Sequence, residues 1–151
     1  MFNKAILLTT ASLLTFAQPA EAARYVFGQS GPVPENAWQT RETGVTQIRF
    51  DDGAIVSLVG KSRFLLTGAE VTISEGAVTV MSRGENPVTL RFEGKGAATV
   101  QGAASLTVHG DGVRGHVLQG AMTVAANGSE QSFDLGSAWS MAANGTPSRV
   151  Y

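Results

Sequence analysis

From Thr46 onward the chain alternates apolar and polar residues in short runs, and glycine interrupts almost every one of them. Gln47-Ile48-Arg49-Phe50, Ala54-Ile55-Val56-Ser57-Leu58 and Ala77-Val78-Thr79-Val80-Met81 are such runs in the first half. Val88-Thr89-Leu90-Arg91-Phe92, Ser105-Leu106-Thr107-Val108 and Met122-Thr123-Val124 continue the pattern in the second. Period-two alternation rich in Val, Ile, Thr and Phe suits half-buried strands. Asp52-Gly53, Glu75-Gly76, Asp111-Gly112, Asn127-Gly128 and Asn144-Gly145 punctuate the runs. Glycine supplies the positive φ of a tight turn, and a preceding Asn or Asp bonds to nearby backbone. No segment keeps a helical period for three turns, so an all-β fold is expected.

One phrase is stated twice. Val71-Thr72-Ile73-Ser74-Glu75-Gly76-Ala77-Val78-Thr79-Val80 returns as Gly115-His116-Val117-Leu118-Gln119-Gly120-Ala121-Met122-Thr123-Val124. Ile73 and Val78 are an odd number of residues apart, so a flat strand would send them to opposite faces. A bulge or corner at Glu75-Gly76 returns both to one side, and Gln119-Gly120 does the same for Val117 and Met122. The repeat extends outward: Arg49-Phe50-Asp51 lines up with Arg91-Phe92-Glu93, and Gly60 with Gly102. Residues 48–84 and 90–128 therefore read as two copies of one β unit joined at Glu85-Asn86-Pro87. Short strands with glycine corners repeated at this scale predict a two-repeat β-solenoid or flattened β-roll, with a β-sandwich as the alternative. Because Gln119 stands where the first copy has Glu75, the shared requirement at that position is architectural, not acidic.

The first 22 residues have a different character. Lys4 precedes an apolar run of about 13 residues, and Ala20 and Ala22 offer a small-residue cleavage site. The run is shorter than the roughly 20 apolar residues a spanning helix needs. A signal peptide cleaved after Ala22 is expected, which places the product in the periplasm or outside the cell. The sequence contains no cysteine, so packing and backbone hydrogen bonds must hold an exported fold without disulfides. Net charge is -1, and past residue 22 the only lysines are Lys61 and Lys95. No basic cluster is available to neutralise a run of phosphates, so nucleic acid is not an expected partner.

Candidate chemistry is sparse. The only histidines, His109 and His116, flank Gly110-Asp111-Gly112, so two imidazoles and a carboxylate would converge if that turn were a tight hairpin. Their spacing matches no zinc motif, and solvent-facing histidines beside a turn are the simpler reading. Asp51-Asp52-Gly53 lacks the oxygen donors of a calcium loop and reads as a turn. Asn127-Gly128-Ser129 and Asn144-Gly145-Thr146 match the glycosylation sequon, but hairpin geometry accounts for both Asn-Gly pairs. No Gly-x-Ser-x-Gly elbow exists. Neither catalytic residues nor a metal or other cofactor is expected.

Residues 23–44 hold Tyr25, Phe27 and Trp38 among Pro32, Pro34 and polar residues, without strand alternation. Such a segment either docks on a partner or covers an open sheet edge; self-capping is favoured, since an uncovered edge pairs with other chains. Trp139 is expected to seal the opposite end. The chain divides into the signal peptide (1–22), this capping or docking segment (23–44), a β domain (45–141) and a C-terminal tail (142–151).

The β domain resembles the FecR domain, the periplasmic sensory region of iron-transport anti-sigma regulators. The opening strand, Asp-Gly turn and second strand of that family are matched by Ile48-Arg49-Phe50-Asp51-Asp52-Gly53-Ala54-Ile55-Val56-Ser57-Leu58. Its first Glu-Gly strand pair is matched by Ile73-Ser74-Glu75-Gly76-Ala77, and its second by Val117-Leu118-Gln119-Gly120-Ala121. Gly102-Ala103-Ala104-Ser105-Leu106-Thr107-Val108 keeps the outline of a Gly-Thr-Ala-Phe-x-Val strand, and Asp134-Leu135-Gly136 loosely that of the closing Leu-x-x-Gly. The resemblance implies Asp52, Gly53, Glu75, Gly76, Gly102, Gln119 and Gly120 as turn and corner residues. It implies an exported, non-catalytic binding, sensory or scaffolding module that works through an envelope protein partner; a structural or adhesive surface component is the alternative. Family regulators carry a cytoplasmic anti-sigma segment and a membrane span before this domain. With a signal peptide in their place, this chain is expected to report through another protein.

Overall fold

The computed structural model describes residues 23–151; the expected signal peptide lies outside the described residues. The strands run in the order β1 (Ala23–Phe27), β2 (Gln39–Arg41), β3 (Val45–Phe50), β4 (Ile55–Thr67), β5 (Glu70–Met81) and β6 (Val88–Phe92). They continue with β7 (Gly96–His109), β8 (Gly112–Ala126), β9 (Ser129–Asp134), β10 (Ala138–Ala142) and β11 (Ser148–Val150). No helix occurs among the described residues, as the alternation and glycine punctuation predict.

Strand length departs from the sequence reading. The short runs on either side of the repeated glycines join into β4, β5, β7 and β8, which are 13, 12, 14 and 15 residues long. At Gly60, Gly76, Gly102 and Gly120 the glycine bends its strand without ending it. Ladder partners on the two sides of the bends fall into two sets. The first layer runs β1, β3, β4 (55–59), β5 (76–81), β7 (103–109), β8 (112–117), β10, β11, antiparallel throughout. The second runs β2, β4 (62–67), β5 (70–73), β6, β7 (97–101), β8 (121–126), β9, with one parallel pairing, β5 to β6. Coils of a solenoid stack in parallel. Here antiparallel bent hairpins pass through both layers, so of the expected architectures this is the flattened roll, one continuous sheet folded on itself.

The parity argument is visible in burial. In β5, Val71 and Ile73 face inward before the corner, and Val78 and Val80 face inward after it. In β8 the same switch separates Val117 from Met122 and Val124. The partner strands keep one parity: Val56, Leu58, Phe64 and Leu66 in β4, and Val100, Ala104, Leu106 and Val108 in β7 are all buried. One strand of each hairpin thus absorbs the extra residue, which is what a bulge does. The crossing at the second corner is tight. Gly102 (φ +118) and Gly120 (φ +75) face each other in the ladder, and a Cβ on either would strike the carbonyl oxygen of Gln119 or Gln101, respectively. Only glycine fits there.

Between the layers lies one apolar cluster that includes Ile48, Phe64, Ile73, Leu90, Phe92, Phe133 and Trp139. Trp139 of β10 stacks on Phe133 of β9 at a centroid distance of 5.8 Å and meets Phe92 of β6 at 6.4 Å. Its indole N–H donates to Met122 Sδ at 3.1 Å. Trp139 therefore pins the first layer to the second near the β9–β11 end. It is fully buried there, so it is a core member and not a surface seal.

The segment read as strandless contains β1 and β2. Both extend existing layers: β1 pairs with β3, and β2 with β4. The outer edge of β1 is covered by the chain folding back, with Tyr25 N–H donating to Gly31 O at 2.9 Å and Val33 N–H to Ala23 O at 3.1 Å. Asn36 N–H then reaches Leu66 O at 2.8 Å, and Glu35 Oε1 accepts from Gly68 N–H at 3.1 Å. Residues 142–151, read as a tail, include β11 at the far edge of the first layer.

Candidate interaction surface

The three aromatic residues of the N-terminal segment have separate fates. Tyr25 is buried, and its hydroxyl accepts a 3.0 Å hydrogen bond from Arg41 Nη2. Burial pushes the Tyr25 phenol above its ordinary range, against the opposing pull of Arg41. The Arg41 guanidinium lies over the rings of both Tyr25 and Phe64, at 5.5 and 5.9 Å. This half-buried cation joins β1 of the first layer to β2 and β4 of the second, a use that favours Arg for its planar, stackable head. Trp38 is half-buried beneath the Arg63 guanidinium at 3.9 Å, and Arg63 also faces Glu93 at 3.6 Å. Tyr25 and Trp38 are thus engaged within the fold. Of the three, Phe27 alone presents a largely exposed ring.

Phe27 stands opposite Gln47 on the outer face of the first layer, and other apolar side chains share that face. Val45 and Val59 are direct cross-strand partners between β3 and β4, and Met81 of β5 pairs with Ile55 of β4. Val150 of β11 lies at the other end, opposite Ala138. These five exposed residues are 37 to 58% accessible. Between them runs a row of small polar groups, Gln47, Ser57, Thr79, Ser105 and His116, each opposite the next. Gln47 Nε2 donates to Ser57 Oγ at 3.1 Å within that row. Arg49 and Arg114 are exposed at the same face.

The outer face of the second layer is built otherwise. Thr89, Thr99, Thr123 and Ser132 stand opposite one another across β6 to β9, with Thr123 and Ser132 hydroxyls 3.1 Å apart. Two of its arginines are paired: Arg91 Nε to Glu70 Oε2 is 2.6 Å, and Arg63 meets Glu93. The hydrogen bond to Glu70 holds the Arg91 guanidinium above its usual range. At the first corner Lys61 faces Glu75 at 3.9 Å. Glu75 is thereby a surface ion-pair member. Its counterpart Gln119 is exposed at the second corner.

The histidines do not converge. His109 pairs with Gly112 and His116 with Ser105, four residue steps apart along the β7–β8 ladder, about 13 Å at strand rise. Among the described residues no group of three His, Asp or Glu side chains is placed to hold a metal ion. Asp52 Oδ1 accepts from Ala54 N–H at 2.9 Å, and Gly53 has φ +90, so Asp51-Asp52-Gly53 closes the β3–β4 turn. Asn127 (φ +51) and Gly128 (φ +76) form the two-residue β8–β9 hairpin with both φ angles positive. No helix among the described residues is long and apolar enough to cross a membrane.

Sequence reasoning missed Val45, Val59, Met81, Arg49 and Arg114 as a surface. The signal was present in apolar doublets, Ile55-Val56, Leu58-Val59 and Val80-Met81, where one partner must face outward. Assigning the outward partner required the corner parity and the strand order.

The fold has known counterparts. Two crystal structures of a putative anti-sigma factor from Parabacteroides distasonis, at 1.65 and 2.50 Å resolution, superpose with TM-scores of 0.64 and 0.61 at 14 and 15% sequence identity. The likeness covers 76% of this chain, and 59 and 60% of theirs; the chain spans about three fifths of the length of those proteins. At this identity the likeness is one of fold. No family model and no curated protein matches the sequence.

Proposed function

We propose that this protein is an exported, non-catalytic FecR-like module of the bacterial envelope, which senses or scaffolds by binding another protein. The observation that carries the reading is the outer face of the first layer, where Phe27, Val45, Val59 and Met81 stand exposed on adjoining strands. Exposed apolar side chains gathered on one face of a sheet mark an interaction surface more often than the same residues scattered singly. The fold shared with the Parabacteroides proteins supports the FecR-like assignment, as does the order of turn and corner residues from Asp52-Gly53 to Gln119-Gly120. Their description as anti-sigma factors fits a regulatory role for this chain.

The test is crosslinking in the intact envelope followed by identification of the captured protein. The module reading expects a membrane-bound anti-sigma protein or an outer-membrane transporter, with recovery reduced by Val59→Ser and Met81→Ser. Surface labelling of whole cells together with self-association, and no such capture, would shift the assignment to a structural or adhesive surface component.

A further inference from the structure

Resting on that reading, we infer that the outer face of the first layer is the docking surface itself, and that its partner is a protein whose contact surface is acidic. The argument begins with what the face lacks. None of the strand segments that build the first layer, in β1, β3, β4 (55–59), β5 (76–81), β7 (103–109), β8 (112–117), β10 and β11, contains an Asp or a Glu. Carboxylates flank the layer at Asp51-Asp52 and Asp111 in turns and at Asp134 of β9, 3.8 Å from Arg149. Arg49 and Arg114 nevertheless stand exposed on this face, with His109 and His116 beside Arg114. Among the described residues neither the Arg49 nor the Arg114 side chain has an ion pair, whereas Arg63, Arg91, Arg149 and Lys61 each have one.

The distribution of charge is therefore asymmetric. The first-layer strands carry Arg24, Arg49, Arg114 and Arg149 with no acid among them, whereas the second-layer strands set Arg41, Arg63 and Arg91 beside Glu70, Glu130 and Asp134. Phe, Met and Arg together, with Lys, Glu and Asp missing, is also the composition enriched at protein interfaces. Eight strands at about 4.8 Å spacing span about 34 Å, wide enough for the roughly 800 Å² that one partner contributes to a standard interface. Charge complementarity of this kind steers encounter and excludes wrong partners. A second copy presenting the same face would bring no strand carboxylate to Arg49 or Arg114. A bilayer is disfavoured by shape: interfacial segments sink their apolar side about 5–10 Å into the headgroup boundary, and these side chains lie along a continuous sheet.

The experiment places a photoreactive amino acid in the full chain at Ser57 or Thr79, in the middle of this face, and at Thr99 or Thr123, in the middle of the opposite one. Crosslinking is done in intact envelopes, and the joined peptides are mapped by mass spectrometry. Expected are protein adducts from positions 57 and 79, joined to peptides rich in Asp and Glu. Combining Arg49→Glu with Arg114→Glu should lower their yield about tenfold or more, the equivalent of 1.4 kcal/mol or more, with an unchanged melting temperature. Adducts at 57 and 79 that withstand this charge reversal, or that join a second copy of the chain or lipid, would overturn the proposal. Adducts from 99 and 123 alone would sink this surface and leave the interaction module standing. No protein adduct from any of the four positions would sink both.

Discussion

The indole of Trp139 lies directly against the Cα of Gly115, its cross-strand partner between β10 and β8. A Cβ on Gly115 would overlap Cε2, Cζ2 and Nε1 of that ring. Gly115 is not among the residues with positive φ, so glycine is required here for space, not for backbone conformation. The ring has no room to retreat, because Phe133 and Phe92 hold its other sides and Met122 Sδ accepts its N–H.

Gly115→Ala should therefore destabilise the fold by about 1–3 kcal/mol through overpacking, read as a lower denaturant midpoint at constant slope. Trp139→Leu will be costly alone, yet it should remove most of the additional loss caused by Gly115→Ala. A double-mutant cycle with additive losses would show that the ring and the glycine are not coupled.

The repeated corners make a second contrast. Gly120→Ala should cost at least about 1–3 kcal/mol, since φ +75 is unfavourable for alanine and its methyl would meet the Gln101 carbonyl. Glu75→Gln should cost under about 1 kcal/mol, because the only ion pair it removes is the exposed one with Lys61. Chemical denaturation of both variants measures this. A large loss for Glu75→Gln, with little for Gly120→Ala, would reverse the view that the glycine and not the acid is the conserved element of the two corners within this chain.

The corners were legible in the sequence because parity is a local property: Ile73 and Val78 cannot share a face unless one residue is absorbed between them. The all-β character followed from the same alternation. Strand length was not legible, since a glycine that bends a strand and one that ends it look alike until the partner strand is known. β1 and β2 escaped notice because each is short and owes its conformation to β3 and β4 rather than to its own pattern. Tyr25 and Phe27 illustrate the limit at the surface. Both are aromatic and close in sequence, yet the register irregularity between them leaves one buried and the other exposed. The docking face needed the complete strand order, because Val45, Val59 and Met81 come from three strands.

Ser62 is buried at the first corner, and among the described residues its hydroxyl has no hydrogen-bond partner. An unpaired buried hydroxyl carries its desolvation cost without return. Ser62→Ala should accordingly raise stability by about 1 kcal/mol. Ser62→Val should lower it, because the Ser62 Cβ already lies 2.8 Å from where a Cβ on Gly76 would stand. Thermal and urea melts of the two variants decide the matter; a clear loss for Ser62→Ala would mean that the hydroxyl is satisfied, for instance by a bound water.

At the turn between β9 and β10, Asp134 Oδ1 accepts a 2.8 Å hydrogen bond from the Ser137 hydroxyl, which itself accepts from Arg149 Nη1 at 2.6 Å. The Ser137 bond first, then a backbone hydrogen bond and the nearby Arg149 charge, hold the Asp134 carboxyl below its ordinary value of 3.8. A carboxyl whose pKa is lowered by folding favours the folded state when ionised. Its contribution is fully present above pH 3.8 and is lost as pH falls through the lower, folded-state pKa. Ser137→Ala should move the Asp134 midpoint upward, toward the ordinary value, and Arg149→Ala should move it upward by less through loss of the direct charge. Carboxyl-detected NMR titration resolves the midpoint for this one residue. An Asp134 midpoint unmoved by Ser137→Ala would show that the hydroxyl does not hold the carboxylate, and would leave Arg149 and the backbone to account for the shift.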